Sequence, residues 1–378
     1  MITRRTPSLL TLTLLLALVL APAFVPPASA QHYPADLPAL DERYEAAATR
    51  AHALIDSMMA DQNIPGVQVA VSVAGATAWS EGFGWADVEQ RVPVWPYTRM
   101  RIGSVSKTIT SAALGKLMEA GRLDLDLPVQ EYVPYFPEKE KDTITTRLVA
   151  GHLAGIRHYR GDEFMSDEHY PTVREGITIF REDTLLFEPG SDYSYSSYGW
   201  NLVSAVIEGA SGRPYLDYMR SEVLDPLGMQ QTVADYTTPI IHHRTAYYAQ
   251  NEEGQLQNAP YVDNSYKWAG GGYLGTAEDL LIFGQAMMGD RFLTRTTVEE
   301  LWRPMQTSDG ESTGYGIGWS SGEDEQGRPW VGHSGGSVGG TTQFVVFPEQ
   351  QVVVAIIANM GGVGYGDIHR RIAALFME

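Results

Sequence analysis

A hydroxyl held beside an amine can be turned into a nucleophile, and one place in this chain has the spacing for it. Ser104-Val105-Ser106-Lys107 sets a serine three residues before a lysine. A serine hydroxyl is a weak nucleophile until something takes its proton. On a helix, a separation of three puts Lys107 one turn beyond Ser104 on the same face. At a first helical turn the dipole also favours developing negative charge. The Ser-x-x-Lys spacing occurs once in the chain, between a turn and an apolar helix.

Two later segments have the right residue types to complete such a centre. Tyr195-Ser196-Ser197 follows the turn Phe187-Glu188-Pro189-Gly190 and leads into a helix near Trp200. By composition alone it reads as a Tyr-rich surface loop. In His333-Ser334-Gly335-Gly336 a strand ends in small residues, which lets backbone N–H groups approach a ligand.

Ser-x-x-Lys, then Tyr-x-Ser, then His-x-Gly, in this order, resembles the serine β-lactamases and penicillin-binding peptidases, whose elements are S-x-x-K, Y-x-N or S-x-N, and K-T-G or H-x-G. The order and Tyr195 make the chain similar to class C β-lactamases, D-alanyl-D-alanine carboxypeptidases and related esterases. Leu148 to Ile156 resembles the family's L-L-x-H-T-S-G-I segment, and Pro226-Leu227-Gly228-Met229 with Thr232 is another shared piece. The run Asp263 to Leu274, and Ser197 in place of Asn, resemble the β-lactamase-like proteins of animal mitochondria in particular. The resemblance covers about residues 45–375.

The resemblance implies a role for each matching residue. Ser104 attacks a carbonyl, and Lys107 hydrogen-bonds it and helps hold the nearby proton. Tyr195 is the general base and returns the proton to the leaving group. The N–H groups of Ser104 and Gly336 form the oxyanion hole. Ser197, His333, Ser334 and Gly335 contact substrate. His333 stands where many relatives have Lys, and orients Tyr195 or binds a substrate carboxylate. A tyrosine base needs positive charge nearby to bring its pKa down from about 10, which Lys107 would supply. Activity is then expected to rise from acid towards mildly alkaline pH. Ser197 for Asn and His333 for Lys both argue against strong β-lactamase activity and leave acyl transfer intact. The implied substrates are small molecules or peptides with amide bonds. The alternatives are a promiscuous esterase or weak β-lactamase, and a catalytically silent scaffold. No cofactor and no metal is implied.

Other patterns compete and lack their context. Gly332-His333-Ser334-Gly335-Gly336 matches the nucleophile elbow G-x-S-x-G, but a strand-like run follows it instead of a helix. Gly270 to Gly275 matches G-x-G-x-x-G with no apolar strand before it. His242-His243 and Asp167-Glu168-His169 have no further metal ligand at helical spacing, and H-E-x-x-H is absent. His152 reads as a hydrogen-bonded structural residue, and Tyr266 and Trp268 as cleft-lining or packing side chains.

The elements that would position these residues form an α/β (α+β) pattern. Helices are expected over Ala47 to Met59, Ser104 to Ala120, Trp200 to Gly209, Tyr215 to Leu224, Leu280 to Met288 and Asp367 to Phe376. Thr276 to Asp279 reads as a capping box. Strands are expected at Val67 to Val73, Thr77 to Phe83, Trp319, Pro329 to His333, Thr342 to Phe347 and Val352 to Ala358. Arg99 to Gly103 reads as a turn. Strands at both ends predict one antiparallel sheet built from both termini and flanked by helices. Residues 45–125 and 291–378 would form this sheet lobe and residues 126–290 a mostly helical lobe.

The full chain has a net charge of -19 and no cysteine. Thiol chemistry and disulfides are ruled out, and nucleic acid and anionic membranes are poor partners. Arg4-Arg5, the apolar run Leu9 to Leu20 and Ala28-Ser29-Ala30 read as a signal peptide over residues 1–30, cut before Gln31. A periplasmic or secreted protein without an integral membrane anchor is expected.

Overall fold

The computed structural model describes residues 40–140 and 143–378, so the expected signal peptide lies outside the described residues. The first helix, α1 (Glu45–Gln62), buries Ala47, Ala48, Ala51, Ile55 and Met58, the spacing of one helical face. It stops at Asn63, in the left-handed region (φ 51°), whose N–H bonds Met59 O.

The main sheet uses strands from both ends of the chain. β1 (Gly66–Val73), β2 (Ala76–Asp87) and β3 (Val92–Pro93) come early; β4 (Ser320–Glu323), β5 (Pro329–Ser337), β6 (Gly340–Phe347) and β7 (Val352–Ala358) come late. Their order is β3-β2-β1-β7-β6-β5-β4, with antiparallel neighbours throughout. The termini meet at β1 and β7, where Val67 faces Ala358 and Val73 faces Val352. A two-residue turn, Ala74-Gly75, joins β1 to β2, with φ of 49° and 83° as a tight hairpin requires.

Both faces of this sheet are covered, which explains the unbroken apolar run of β7. Val352, Val354, Ile356 and Ala358 pack with Val67, Val69 and Val71 against α1 and the last helix, α6 (Ile368–Leu375). Val353, Ala355 and Ile357 join the other core, with Ile109, Leu280 and Phe283. That core contains α2 (Ser106–Glu119), buried almost all round, as a central helix must be. The middle of the chain is helical around α3 (Ser197–Ser211) and the short α4 (Trp268–Gly271).

Several boundaries differ from the sequence reading. Met100–Arg101 is a short strand, not a turn, and pairs with Leu274–Gly275. Tyr215–Met219 is α-helical, but Arg220–Leu224 continues it as a π-turn. Thr276 caps α5 (Ala277–Met288) through its hydroxyl. Asp279 does not reciprocate; it accepts from Thr232 Oγ1 at 2.7 Å and Gln231 N at 2.9 Å. α5 lies within residues 126–290, and its Leu280 and Phe283 share a core with Val346 and Val353 of the sheet. Among the described residues no helix is long and apolar enough to cross a membrane.

Candidate active site

Ser104 sits in a 3-10 turn, Gly103–Val105, that runs into α2. The helix begins two residues later than the sequence suggests. The turn is seated against β5 by glycine on both sides. Gly103 has φ +52°, and a Cβ there would lie 2.7 Å from Gly336 O. A Cβ on Gly335 would lie 2.1 Å from Ile102 O. Neither position can hold a side chain, so the backbone of Gly336 is brought next to that of the turn that carries Ser104. The β5 strand continues through Ser337 instead of ending at His333, and Ser334 is an exposed mid-strand residue paired with Gln343. With a strand on both sides, Ser334 has no elbow.

Lys107 is fully buried, and no acidic side chain forms an ion pair with it among the described residues. Its Nζ lies 3.0 Å from Ser104 Oγ, 3.2 Å from Ser197 Oγ and 2.5 Å from Gly270 O. Burial, and then the charge of Lys267, push its pKa well below the ordinary lysine value. All three neighbours are oxygens: Nζ donates to the Gly270 carbonyl and to the Ser197 and Ser104 hydroxyls.

Ser196 fixes the second segment. Its hydroxyl accepts from Gly199 N at 3.0 Å, capping α3, and donates to Arg157 O at 2.7 Å. That cap places Tyr195 just before the helix and Ser197 at its first turn. Ser196 N donates to His152 Nδ1, and Ser197 N donates to His158 Nδ1, each at 3.1 Å. His152 is thus a structural acceptor, its ring 4.3 Å from that of Tyr195. The ring centre of Tyr195 is 4.9 Å from Lys107 Nζ, and Tyr195 lines the same cleft as Ser104. The expected lowering of the Tyr195 pKa is not found: burial raises it, and the bonds to Ser104 and Ser197 offset only part. With its own pKa pushed down, Lys107 is a poor source of the charge that would lower it.

His333 lies in the same cleft, but its bonds go elsewhere than expected. Nδ1–H donates to Ser334 O at 2.5 Å, so Nε2 accepts from Tyr315 O–H at 2.8 Å. Tyr195 is a ring neighbour at 6.2 Å, not a hydrogen-bond partner. Burial pushes the His333 pKa down to about 3, leaving it neutral and unable to attract a carboxylate by charge.

Ser104, Tyr195 and His333 line one cleft of about 550 Å³, together with Ser197, Ser334, Gly336, Gly270 and Gly271. The sequence reading missed His158, Tyr159, Phe164, Tyr193, Lys267 and Tyr315 on its walls. Tyr315 had a local signal in the glycine spacing Gly314-Tyr315-Gly316. Of the metal decoys, His169 is paired with Asp263 at 2.9 Å. Among the described residues there is no cluster of three or more His, Asp or Glu able to hold a metal ion.

A two-face-covered antiparallel sheet, a helical middle and a Ser-x-x-Lys turn under the sheet's late strands define the β-lactamase/transpeptidase-like class. The chain belongs to the Beta-lactamase family, whose model matches residues 51–376; this is a family of serine hydrolases. The mitochondrial serine β-lactamase-like protein of Homo sapiens is 35% identical over 82% of this chain and 76% of its own. The octameric penicillin-binding protein homologue from Pyrococcus abyssi superposes with a TM-score of 0.77 at 27% identity, covering 87% of this chain and 77% of that one. A penicillin-binding protein from Bacillus halodurans shares the fold, with a TM-score of 0.72 at 23% identity over 85% and 99% of the two chains.

Proposed function

We propose that this protein cleaves amide or peptide bonds through an acyl-enzyme on Ser104. The observation that carries this reading is the buried amine of Lys107, 3.0 Å from Ser104 Oγ and held by Ser197 and Gly270. Neutral Lys107 takes the Ser104 proton as Oγ attacks the substrate carbonyl. The carbonyl oxygen, now negative, lies at the N–H groups of Ser104 and Gly336. Tyr195, kept protonated by burial, passes a proton to the leaving amine and recovers one from Lys107. Water then cleaves the ester by the same route reversed. This assigns the base to Lys107 and the relay to Tyr195, a change from the role the family resemblance implied. Ser334 and Gly335 would border the bound substrate. A neutral His333 and Ser197 in place of Asn disfavour strong β-lactamase activity.

Intact mass after treatment with a fluorophosphonate, and separately with a penicillin, tests the reading. An adduct present in wild type and Ser334→Ala but lost in Ser104→Ala supports it. A penicillin adduct as well would narrow the substrate to peptidoglycan-like amides. No adduct from either reagent would leave a silent scaffold as the better account. Export belongs to the same proposal and rests only on residues 1–30. Recovery outside the cytoplasm with Gln31 as the first residue supports it, and an intact leader counts against it.

A further inference from the structure

The cleft holds a second lysine that the acylation chemistry does not use. Lys267 closes the 3-10 turn Ser265–Lys267 and leads directly into α4, whose Gly270 carbonyl holds Lys107. It is 2% exposed and lines the same cleft as Ser104. Its Nζ has no hydrogen-bond partner among the described residues. An ammonium taken out of water without a partner is costly, so it calls for an anion or for loss of its proton.

Every charged group around it is already engaged or of the wrong sign. Asp235 Oδ2 accepts from Arg101 Nε at 2.7 Å and from Asn264 Nδ2 at 2.8 Å, and Arg244 lies 3.8 Å from its other oxygen. Glu163 is bound to Arg157 through both oxygens, at 2.6 and 2.9 Å. Arg101 repels it, and His158 is held neutral near pH 7 by a pKa pushed down to about 4. What remains is aromatic. The rings of Phe164, Tyr266 and Tyr159 lie 4.5, 5.1 and 5.6 Å from Nζ. Ring faces hold a cation in place without neutralising it. At the strand position where the family often has a lysine, this chain has His333, which is neutral and bonded to Tyr315. The cation in this cleft is therefore on a different element.

We propose that Lys267 is a specificity-determining residue that receives a carboxylate of the substrate while Ser104 is acylated. This rests on the hydrolase reading above and narrows it to anionic amides. The carboxylate could belong to an acidic side chain on the acyl side or to a free C-terminus on the leaving side. Burial, with Arg101 adding to it, holds the Lys267 pKa down to about 7. Its charge is then present below about pH 7 and lost above it, and selectivity for anions should fall in the same direction.

Two matched substrate pairs distinguish the sources: N-acetyl-Glu against N-acetyl-Gln 4-nitroanilide, and N-acetyl-Ala-Ala-Ala against its C-terminal carboxamide. The readout is the ratio of kcat/KM, charged over neutral. Because both members share Lys107 and Ser104, any change in the base cancels in the ratio. A charge-assisted hydrogen bond corresponds to roughly ten- to a hundredfold. At pH 6 wild type should prefer the charged member of one pair by about tenfold or more, and that pair names the source. Lys267→Met should bring the ratio to within about twofold of unity, with Lys267→Arg in between. In wild type alone the preference should shrink at least fivefold, roughly, between pH 6 and pH 8.5, which tests the idea even if the Met variant fails to fold. A preference absent from both pairs, or unchanged in a folded Lys267→Met, overturns the proposal. Fluorophosphonate labelling of wild-type Ser104 separates the two readings: label without preference removes only the role of Lys267, whereas no label removes the hydrolase itself.

Discussion

A lysine without a carboxylate partner behaves as an amine, and at the residue scale this decides how Ser104 can be activated. Lys107 has three oxygen neighbours and no anion, so its proton is lost well below the usual lysine range. The sign follows: the base is blocked at low pH and freed as pH rises through its depressed pKa. For an uncharged ester, kcat/KM should climb along a single limb as pH rises and level off well below the ordinary lysine pKa. A limb that levels off only near the ordinary lysine value, or a rate that falls as pH rises, would falsify Lys107 as the base. Lys107→Met should lower kcat by about 10³-fold or more, within the range for losing a general base. Tyr195→Phe keeps the ring against His152 and removes the relay hydroxyl, and should cost less, roughly 10- to 100-fold. The inverse ranking, measured on one ester under saturating substrate, would return the base to Tyr195. The Ser104–Lys107 pair was legible because its spacing is local. The protonation states were not, because burial comes from α3 and α4, far along the chain.

At the scale of elements, the site is a junction between a turn and a strand. Gly335 sits where β5 touches Ile102, and a Cβ there would come within 2.1 Å of a carbonyl oxygen. Neither backbone has room to yield without moving Ser104 or Gly336. Gly335→Ala should therefore lose stability by about 1–3 kcal/mol. Fluorophosphonate labelling of its folded fraction should slow as well. Ile356→Ala, in β7 beneath α1, makes the contrast: it should cost about 2–5 kcal/mol in urea unfolding and leave labelling of the folded protein unchanged. Equal labelling in the two variants would mean that the glycine contact does not position the nucleophile. Which elements were readable follows from the same packing. β7 and β6 have the apolar runs of strands buried on both faces. β4, Ser-Ser-Gly-Glu, has no such run and is a strand only because β5 offers it an edge. Trp319, expected in a strand, is instead a core residue bonded to Ser111 Oγ at 2.8 Å.

At the scale of the whole molecule, a cleft lined by Lys267, with Lys107 buried beside Ser104, is set in a chain of net charge -19. The charge was legible from composition, the family from the motifs, and the sheet joined from both termini from the strand-like runs. Lys267 as a cleft cation was not legible, because no local spacing marks it and only the fold brings residues 104, 195, 267 and 333 to one cavity. The two levels pull an anionic substrate in opposite directions. The surface field acts over long distances and is screened by salt; the attraction to Lys267 acts at contact inside a buried site and is screened much less. For a sphere of about 25 Å radius, a net charge near -19 repels a unit anion at its surface by roughly 1 kcal/mol more at 0.01 M than at 0.15 M ionic strength. The kcat/KM of the preferred anionic substrate should therefore rise about three- to tenfold over that range, while its neutral partner stays nearly constant. If salt instead lowered the charged-over-neutral ratio, the attraction would be a diffuse surface effect and not a buried contact. Lys267 would then be packing against its three rings and taking no part in recognition.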